Sequence, residues 1–297
     1  MKGKVIAVAN MKGGVGKTAT ILGLAEAMAA RGEEVLVIDL DPQANASICL
    51  AGSRMLRELI EAGHTIDGWL SDRLIKSDKT VNFDDCIRTS VSNVSHLGNQ
   101  LPISLLASSS ELRLVEREML YRLNKPGTDI DYFVDKLHDL LKDQLKQTRK
   151  AYDYVFIDCP PGISLLTETS IRLAQMVIVP TIPDFLSTYG LLTFCSNMRT
   201  GEVAKRSTLE KPKKPYVLAT RVRPINEHKH TLEKLRNERL KEKPSFNLFK
   251  TQIPERAAIA EALGQVDSWP SFSQKWGNSA GILDDLATEV KEAIHGS

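Results

Sequence analysis

The stretch ANMKGGVGKTAT, residues 9–20, joins the pattern of an apolar strand to the pattern of a helix through a run of glycines. The preceding residues KVIAVAN (4–10) are rich in β-branched side chains, and residues 17–31 repeat apolar side chains at helical spacing. Glycines in such a turn let backbone N–H groups approach an anion, and the helix N-terminus stabilises its charge. The stretch therefore predicts a phosphate-binding loop within a parallel α/β unit.

Two lysines lie in this loop, although one is enough to bind a polyphosphate. The loop departs by one position from the pattern G-x-x-x-x-G-K-[ST], because Met11 occupies the place of the first glycine. Lys17 is placed to reach the β- and γ-phosphates of a nucleotide, and Thr18 to offer its hydroxyl to Mg²⁺. Lys12 then has no evident target in its own site. It is either a solvent-exposed loop lysine or it serves another site.

Four more short apolar runs follow along the chain, separated by helical patterns. Apolar strands that alternate with helices are typical of a parallel sheet covered on both faces. Because no repeat or linker divides the chain, we predict a single domain over residues 1–297, of the α/β class, with a doubly wound, mostly parallel sheet flanked by helices on both faces. A helical excursion interrupts it at about 52–150, where LPISLLAS (101–108) is a candidate strand. The four runs are residues 34–40, 152–160, 175–181 and 215–222.

Three aspartates stand at the ends of predicted strands. Asp158 ends an apolar run and precedes the rigid turn CPPG, a position suited to hold Mg²⁺ directly or through water. Asp39 and Asp41 are two residues apart at the end of the second strand, so both leave it on the same side. A strand-terminal aspartate is also a common capping residue, and that alternative stands beside the catalytic one.

Composition excludes several classes of protein. The net charge of +2 is too small to indicate a nucleic-acid binder, so any basic surface must come from an uneven distribution of charge. The four cysteines are widely separated, which argues against a zinc site, an iron–sulfur cluster or a disulfide framework and favours a reducing cytosol. No apolar run reaches the ~18 residues of a membrane span. We therefore expect a cytoplasmic protein.

Three motifs carry a family resemblance. KGGVGKT (12–18), VLVIDLDPQANAS (35–47) and YDYVFIDCPPG (152–162) resemble, in order and spacing, the deviant Walker A P-loop ATPases, specifically the ParA branch that partitions plasmids and chromosomes. Weaker similarity extends through VIVPTIPDFLSTYGL (177–191) and IPERAAIAEA (253–262). The resemblance covers most of the chain and is weakest in the middle.

The resemblance implies ATP hydrolysis with Mg²⁺ and a role for each motif residue. Asp41 would position and polarise the attacking water, Asp39 would support the metal shell, and Lys12 would cross a two-fold interface to the nucleotide of a second subunit. The catalytic residues implied are Lys12, Lys17 and Asp41. The ATP-binding residues implied are Lys12, Gly13, Gly14, Val15, Gly16, Lys17, Thr18, Ala19 and Pro254, and the metal ligands are Thr18, Asp39 and Asp158.

The last third of the chain is locally basic, with fourteen Lys and Arg against six Asp and Glu between residues 199 and 243. Such a stripe indicates contact with the DNA backbone without base readout, and the resemblance implies nonspecific DNA binding by a region at about 199–256. A solvated helix of mixed charge is the alternative. Many relatives have an arginine directly before the L/I-A-E-A segment, where this chain has Ala258. The candidate DNA contacts are Arg199, Lys205, Arg206, Arg221, Arg223, Lys229 and Arg256.

The resemblance also implies partners: a homodimer with ATP sandwiched between its chains, double-stranded DNA of the nucleoid, and a ParB-like adaptor that stimulates slow hydrolysis. Other cargoes stay open, namely a chemoreceptor array, a conjugation complex or a carboxysome. A MinD-like membrane ATPase is disfavoured because the polar face of the last helix (280–297) is acidic, and a nitrogenase-like iron protein because the cysteines are scattered. The chain begins close to its first strand, so we expect no N-terminal DNA-binding domain. The segment WPSFSQKWG (269–277) is either a surface loop or a partner site.

Overall fold

The computed structural model describes residues 3–96, 98–123, 130–200, 214–264 and 268–296. Ten strands are present in these residues: β1 (Lys4–Val8), β2 (Val35–Asp39), β3 (Ile87–Arg88), β4 (Ser95–His96), β5 (Asn99–Gln100), β6 (Ile103–Leu106), β7 (Tyr154–Asp158), β8 (Met176–Thr181), β9 (Tyr216–Ala219) and β10 (Asn247–Leu248). Eight of them form one sheet in the order β10-β9-β8-β1-β7-β2-β6-β3, and β4 and β5 form a separate hairpin. Only the edge pair β3 and β6 of the large sheet is antiparallel. The predicted doubly wound, mostly parallel α/β fold is confirmed.

Twelve α-helices lie in the described residues, and none of them is long and apolar enough to cross a membrane. They are α1 (Lys17–Ala29), α2 (Asn45–Glu61), α3 (Ile66–Leu70), α4 (Leu112–Leu123), α5 (Ile130–Thr148), α6 (Leu165–Leu173), α7 (Phe185–Tyr189), α8 (Leu191–Thr200), α9 (Asn226–Arg239), α10 (Ala257–Gly264), α11 (Phe272–Trp276) and α12 (Ala280–His295). A π-helical turn, Ser71–Lys76, continues α3.

The core has two layers, one on each face of the sheet. Because side chains alternate along a strand, Ile6 of β1 belongs to one apolar cluster and Val5 to the other. The first cluster includes Leu286 of α12 and the buried face of α1, and the second includes Leu137 of α5 and Leu166 of α6. The helices therefore cover both faces, and the sheet edge that carries the loops stays accessible.

Helix α1 is nearly surrounded by protein. A Cβ atom at Gly23 would lie 2.6 Å from the Leu283 Cδ2 atom of α12, so a larger residue at this position would force the Leu283 side chain to move. Burial continues along α1 from Thr20 to Ala29. The helix that begins at the glycine-rich loop is therefore fixed against the core along its whole length.

The segment 269–277, which the sequence leaves open between a surface loop and a partner site, is anchored in the core by Glu26 of α1. The Glu26 carboxylate accepts hydrogen bonds from Lys275 Nζ and Trp276 Nε1, each at 2.6 Å. Lys275 Nζ also donates to Asn93 Oδ1 at 2.8 Å. Burial raises the pKa of Glu26, and the ammonium of Lys275 opposes that shift. Lys275 and Trp276 are thus structural residues of the domain.

The region 52–150 contains the candidate strand predicted at 101–108, which is β6 (Ile103–Leu106), and also short strands that its helical pattern does not indicate. Two of its segments, β3 and β6, extend the main sheet beside β2. Helix α2 begins at Asn45, before the predicted start of the excursion at about residue 52, and it is kinked at Gly52, whose φ of 70° and ψ of 166° are not helical. The predicted excursion therefore contributes an edge of the same sheet as well as helices.

Candidate nucleotide and metal site

The glycine-rich loop connects the centre of the sheet to α1. Gly14 and Gly16 have φ angles of 74° and 86°, which disfavour any residue with a Cβ atom. Gly16 precedes the first residue of α1, so the loop turns directly into the helix N-terminus. Lys17 is only 7% exposed, and its Nζ atom donates to the Lys12 carbonyl at 3.4 Å. The ammonium is thus held over the loop, as phosphate binding requires.

Two side chains outside the motif hold this loop in shape. Asn10 donates from Nδ2 to the Pro180 carbonyl at 2.6 Å, and its Oδ1 atom accepts the Lys12 N–H at 3.1 Å. Thr220, at the end of β9, donates its hydroxyl to the Val15 carbonyl at 2.7 Å. Both anchors are buried. Neither residue is predicted from the sequence, where the only signal is a position at the end of a predicted strand.

Replacing Thr220 with valine tests the second anchor. Valine keeps the shape of the side chain but leaves the buried Val15 carbonyl without its donor, so we expect the free energy of unfolding to fall by about 1–3 kcal/mol. Chemical unfolding of the nucleotide-free protein measures the change. Thr188→Val is a matched control, because the Thr188 hydroxyl also bonds a carbonyl but lies on the short helix α7 away from the loop. An equal decrease in unfolding free energy in both variants would contradict the role of Thr220 as an anchor of the loop.

Three adjacent strands bring the predicted metal and catalytic residues together. Strand β7 lies between β1 and β2, and Asp39 is in register with Asp158 across the β2–β7 pair. The Thr18 hydroxyl donates to Asp158 Oδ2 at 2.8 Å. Asp158 is completely buried, and its other carboxylate oxygen, Oδ1, has no hydrogen-bond partner. The structure therefore places an unsatisfied carboxylate oxygen at the foot of the loop.

Asp39, the last residue of β2, and Asp41, two residues further on, differ in their surroundings. Asp39 accepts hydrogen bonds at both carboxylate oxygens, from the Asp41 N–H at 3.0 Å and from the Ser47 N–H and hydroxyl at 2.8 and 2.7 Å. Asp41 is oriented by the Gln43 N–H, which donates to Oδ1 at 2.9 Å, and it lines the cleft. Both carboxylate oxygens of Asp39 are therefore engaged in hydrogen bonds within the chain, while Asp41 lies at the wall of the cleft.

The electrostatics around Asp39, Asp41 and Asp158 favour binding of a cation. Burial raises the pKa of Asp39 to about 6, against the hydrogen bonds from Ser47. Burial, and then the nearby Asp39 charge, raise the pKa of Asp158 well above its usual range, and the Thr18 hydroxyl and Lys17 oppose the shift only in part. Three carboxylates share one positive side chain, so a bound cation would relieve their mutual repulsion.

The residues fit a magnesium ion. The unpartnered Asp158 Oδ1 atom and the Thr18 hydroxyl are the hard oxygen ligands that Mg²⁺ prefers, and it commonly completes its shell with phosphate oxygens and water. Within the described residues, no group of three or more His, Cys, Asp or Glu side chains could hold a metal ion by itself. This arrangement suits a metal that arrives with a nucleotide.

A cleft of about 920 Å³ opens beside the loop. Gly13, Lys17, Thr18 and Asp41 line one part of it. Ala19 belongs to the same wall, whereas the Val15 side chain is buried in the core. Another part of the lining includes apolar residues of α2, the loop after β10 and α10. Its apolar members are Ile48, Ile253, Pro254, Ile259, Ala260 and Leu263. A cleft lined by both polar and apolar residues suits the phosphate and base portions of a nucleotide.

The candidate DNA contacts fall at different places. Arg221 and Arg223 both pair with Glu255, at 2.7 and 3.5 Å, and Arg221 also donates to the Gly14 carbonyl at 3.3 Å. Arg221 has a φ of 51°, an uncommon conformation for a side chain with a Cβ atom. The Arg221 guanidinium lowers the pKa of Glu255. These two arginines are therefore engaged at the rim of the nucleotide cleft.

The remaining members of that set are split between the cleft, an exposed helix and the residues not described. Arg256 lines the nucleotide cleft and donates to the Asn278 carbonyl at 2.5 Å. Lys229 is exposed on α9. Lys205 and Arg206, and the side chain of Arg199, lie outside the described residues. Among the described candidates, Lys229 is thus the one on an open helical surface.

Together, the parallel sheet, the glycine-rich loop at the start of α1 and the Asp158–Thr18 pair define a P-loop nucleotide-binding ATPase. A family model for an AAA domain, AAA_31, matches residues 3–211, and the chain belongs to this family. It is a ParA-family P-loop ATPase. Among relatives of known sequence, the chromosome partitioning protein ParA of Caulobacter vibrioides is 33% identical over 207 residues, which cover 69% of this chain and 64% of that protein.

Solved structures show the same fold. A plasmid partition protein of Borrelia burgdorferi B31, crystallised with AMPPNP, superposes with a TM-score of 0.65 at 20% identity and covers 97% of this chain and 100% of that chain. A cobyrinic acid a,c-diamide synthase of Mycobacterium smegmatis with bound ADP and magnesium has a TM-score of 0.64 at 22% identity, covering 98% and 94%. Since these two proteins have different activities, the likeness supports the fold and not one activity.

Proposed function

We propose that this chain is a DNA-partition ATPase in which ATP joins two copies into a dimer that binds DNA without sequence preference and associates with the nucleoid. A ParB-like adaptor on the cargo, a plasmid or a chromosome, would stimulate hydrolysis and release the dimer. The family membership and the partition protein among the relatives support this proposal. The observation that carries it is the state of the second lysine of the loop.

The ammonium of Lys12 is unpaired as far as the described residues extend. Its backbone is held by Asn10 and its carbonyl by Lys17, but Nζ makes no hydrogen bond or ion pair to any described residue. Gly13 beside it is exposed, and a Cβ atom there would meet nothing within 4 Å in its own chain. A free cation beside an open glycine suits close approach of a second subunit, whose nucleotide would receive the charge.

The chemistry assigned to the other residues follows from their surroundings. Lys17 would bind the β- and γ-phosphates, and Asp41, oriented by the Gln43 N–H, would position and polarise water for attack on the γ-phosphorus. Thr18 and Asp158 would hold Mg²⁺, which neutralises charge on the phosphates, and Asp39 would support them. Because phosphoryl transfer depends mainly on alignment and charge, a single oriented carboxylate gives slow turnover that a partner can increase.

The segment after Asp158 is suited to respond to the nucleotide. Gly162 has a φ of 97°, and its N–H donates to the Asn10 carbonyl at 3.3 Å, so this turn is joined to the loop anchor. Ile163 next to it is 51% exposed. A change at the γ-phosphate would therefore reach the surface through a short chain of backbone contacts, which supports a role as a switch.

Titration with a random-sequence duplex, with and without ATP and Mg²⁺, tests the proposal in the wild type, Lys12→Ala and Asp41→Ala. We expect ATP-dependent dimers and DNA binding for the wild type. Lys12→Ala should remain monomeric and fail to bind DNA, because the bridging charge is lost. Asp41→Ala should bind DNA persistently while hydrolysis falls by about 100-fold or more. Light scattering, anisotropy and phosphate release are the measurements.

Lys146→Ala is the matched control, since Lys146 is exposed on α5, far along the chain from the loop. It should dimerise and bind DNA as the wild type does. Equal DNA binding by all four proteins without nucleotide would contradict the ATP-gated dimer.

A further inference from the structure

A second cavity, of about 270 Å³, lies at the carboxyl ends of β9 and β10, the edge of the sheet that also carries the nucleotide cleft. Leu232 and Leu248 belong to its apolar wall. Three cationic side chains line it as well, from Arg236, Arg239 and Lys250. Arg236 and Arg239 are three residues apart on α9 and so share one helix face. The cavity thus combines a defined shape with a concentration of positive charge.

The cationic side chains at this cavity have no ion-pair partner in the part of the chain that the structure describes. Among the described residues, no carboxylate forms an ion pair with Arg236, Arg239 or Lys250. The nearby Glu238 pairs with Lys241 instead. The Glu289 carboxylate accepts the N–H groups of Lys250 and Thr251, at 2.7 and 3.1 Å, so it is bound to backbone. Three guanidinium and ammonium groups around one opening form a site for an anion.

The cavity and the nucleotide cleft share two segments of backbone. Ala219 and Gln252 line the cavity, and the next residues, Thr220 and Ile253, line the cleft. The two segments are joined by the Ile253 N–H, which donates to the Ala219 carbonyl at 2.9 Å. Thr220 in turn bonds the Val15 carbonyl of the phosphate loop. A change in the loop on nucleotide binding can therefore alter the cavity through directly bonded residues.

We propose that this cavity binds a backbone phosphate of DNA through Arg236, Arg239 and Lys250. The proposal rests on the DNA binding proposed above and names the surface that performs it. Arg221 and Arg223 pair with Glu255 at the rim of the nucleotide cleft and Arg256 bonds the Asn278 carbonyl, whereas the three cavity cations are exposed and unpaired among the described residues. Lys229, exposed on the same helix and seven residues before Arg236, extends the positive surface beyond one phosphate. That extension favours a polymer with repeated phosphates over a single small anion.

DNA-binding titrations across a salt series test the assignment, using Arg236→Ala, Arg239→Ala and Lys250→Ala in the presence of ATP and Mg²⁺. Each variant should weaken binding of a random-sequence duplex by about tenfold and reduce the salt slope by about one, because a phosphate contact is lost. Lys234→Ala is the matched control, with the same loss of charge on the same helix but outside the cavity. It should change affinity by less than about twofold. Basal ATP hydrolysis and dimer formation should be unchanged in all four variants.

The outcomes separate this inference from the proposed function. If the wild type binds DNA and the three cavity variants bind it equally well with the same salt slope, the cavity assignment is wrong while the partition function stands. If the wild type hydrolyses ATP but never binds DNA, the proposed function fails. Inorganic phosphate and vesicles containing anionic lipid are tested in parallel. Loss of either interaction in the cavity variants, with DNA binding intact, would overturn the assignment to DNA.

Discussion

Replacing Asp158 with asparagine should lower ATP hydrolysis by about 100-fold or more while leaving the nucleotide-free protein at least as stable as the wild type. The two effects have opposite signs because the carboxylate is buried, has an unpartnered oxygen and lies beside Asp39. Asparagine keeps the acceptor for the Thr18 hydroxyl and removes the repulsion. We expect the free energy of unfolding to stay equal or to rise by about 1 kcal/mol.

Phosphate release at saturating ATP and Mg²⁺, together with urea unfolding without nucleotide, measures both effects. Asp285→Asn is the control, since Asp285 is exposed on α12, and it should change neither quantity. Full ATP hydrolysis by Asp158→Asn would contradict the assignment of Asp158 as a metal ligand. A strongly destabilised nucleotide-free variant would show that the carboxylate is a structural residue.

Lys275→Ala should cost about 3–5 kcal/mol of unfolding free energy, the largest loss of stability that we expect from one substitution in this chain. The side chains of Lys275 and Glu26 are 1% and 0% exposed, so the substitution leaves a carboxylate buried without its cation. The same substitution removes the hydrogen bond to Asn93. Urea unfolding compared with Arg54→Ala gives the contrast, because Arg54 is 94% exposed in its pair with Glu58 and should contribute less than about 1 kcal/mol.

The decrease in unfolding free energy caused by Lys275→Ala should also depend on pH. Removing the ammonium takes away the charge that opposes the raised pKa of Glu26, so this pKa rises further in the folded variant. A carboxyl whose pKa is higher in the folded than in the unfolded protein stabilises the fold at low pH, where it is protonated. This stabilisation is lost as the pH rises through the pKa of the folded state. The deficit against the wild type should therefore be smaller in mildly acidic buffer than in alkaline buffer. A deficit that is constant with pH would mean that lost packing, and not the buried charge, causes it.

The central strands and the phosphate loop were predictable because their signals are local. Apolar runs, a glycine-rich turn and aspartates at strand ends each lie within a few residues, and the five predicted strands form the middle of the sheet. The strands β3 and β10 are two residues long and pair only at the edges, so they leave no periodic pattern. Their positions depend on neighbouring strands that the sequence alone does not bring together.

The residues that complete the site were not predictable for the same reason. Thr220 supports the loop from 205 positions away in the chain, and Lys275 reaches Glu26 across 249. A threonine after a strand or a lysine in a tryptophan-rich segment has no distinctive spacing. The candidate DNA contacts are chosen from local charge, which does not show whether a basic side chain is already paired. The ion pairs of Arg221 and Arg223 with Glu255 are visible only in the folded structure.

The insertion of β7 between β1 and β2 has a consequence for synthesis. The phosphate loop, Asp39 and Asp41 are translated within the first 41 residues. Strands β1 and β2, however, each pair with β7 and not with each other. During translation, more than a hundred further residues must therefore be added after Asp41 before β7, the strand that joins β1 to β2, is synthesised. Until residue 158 has left the exit tunnel, the nascent chain has no complete nucleotide site to be stabilised by ATP.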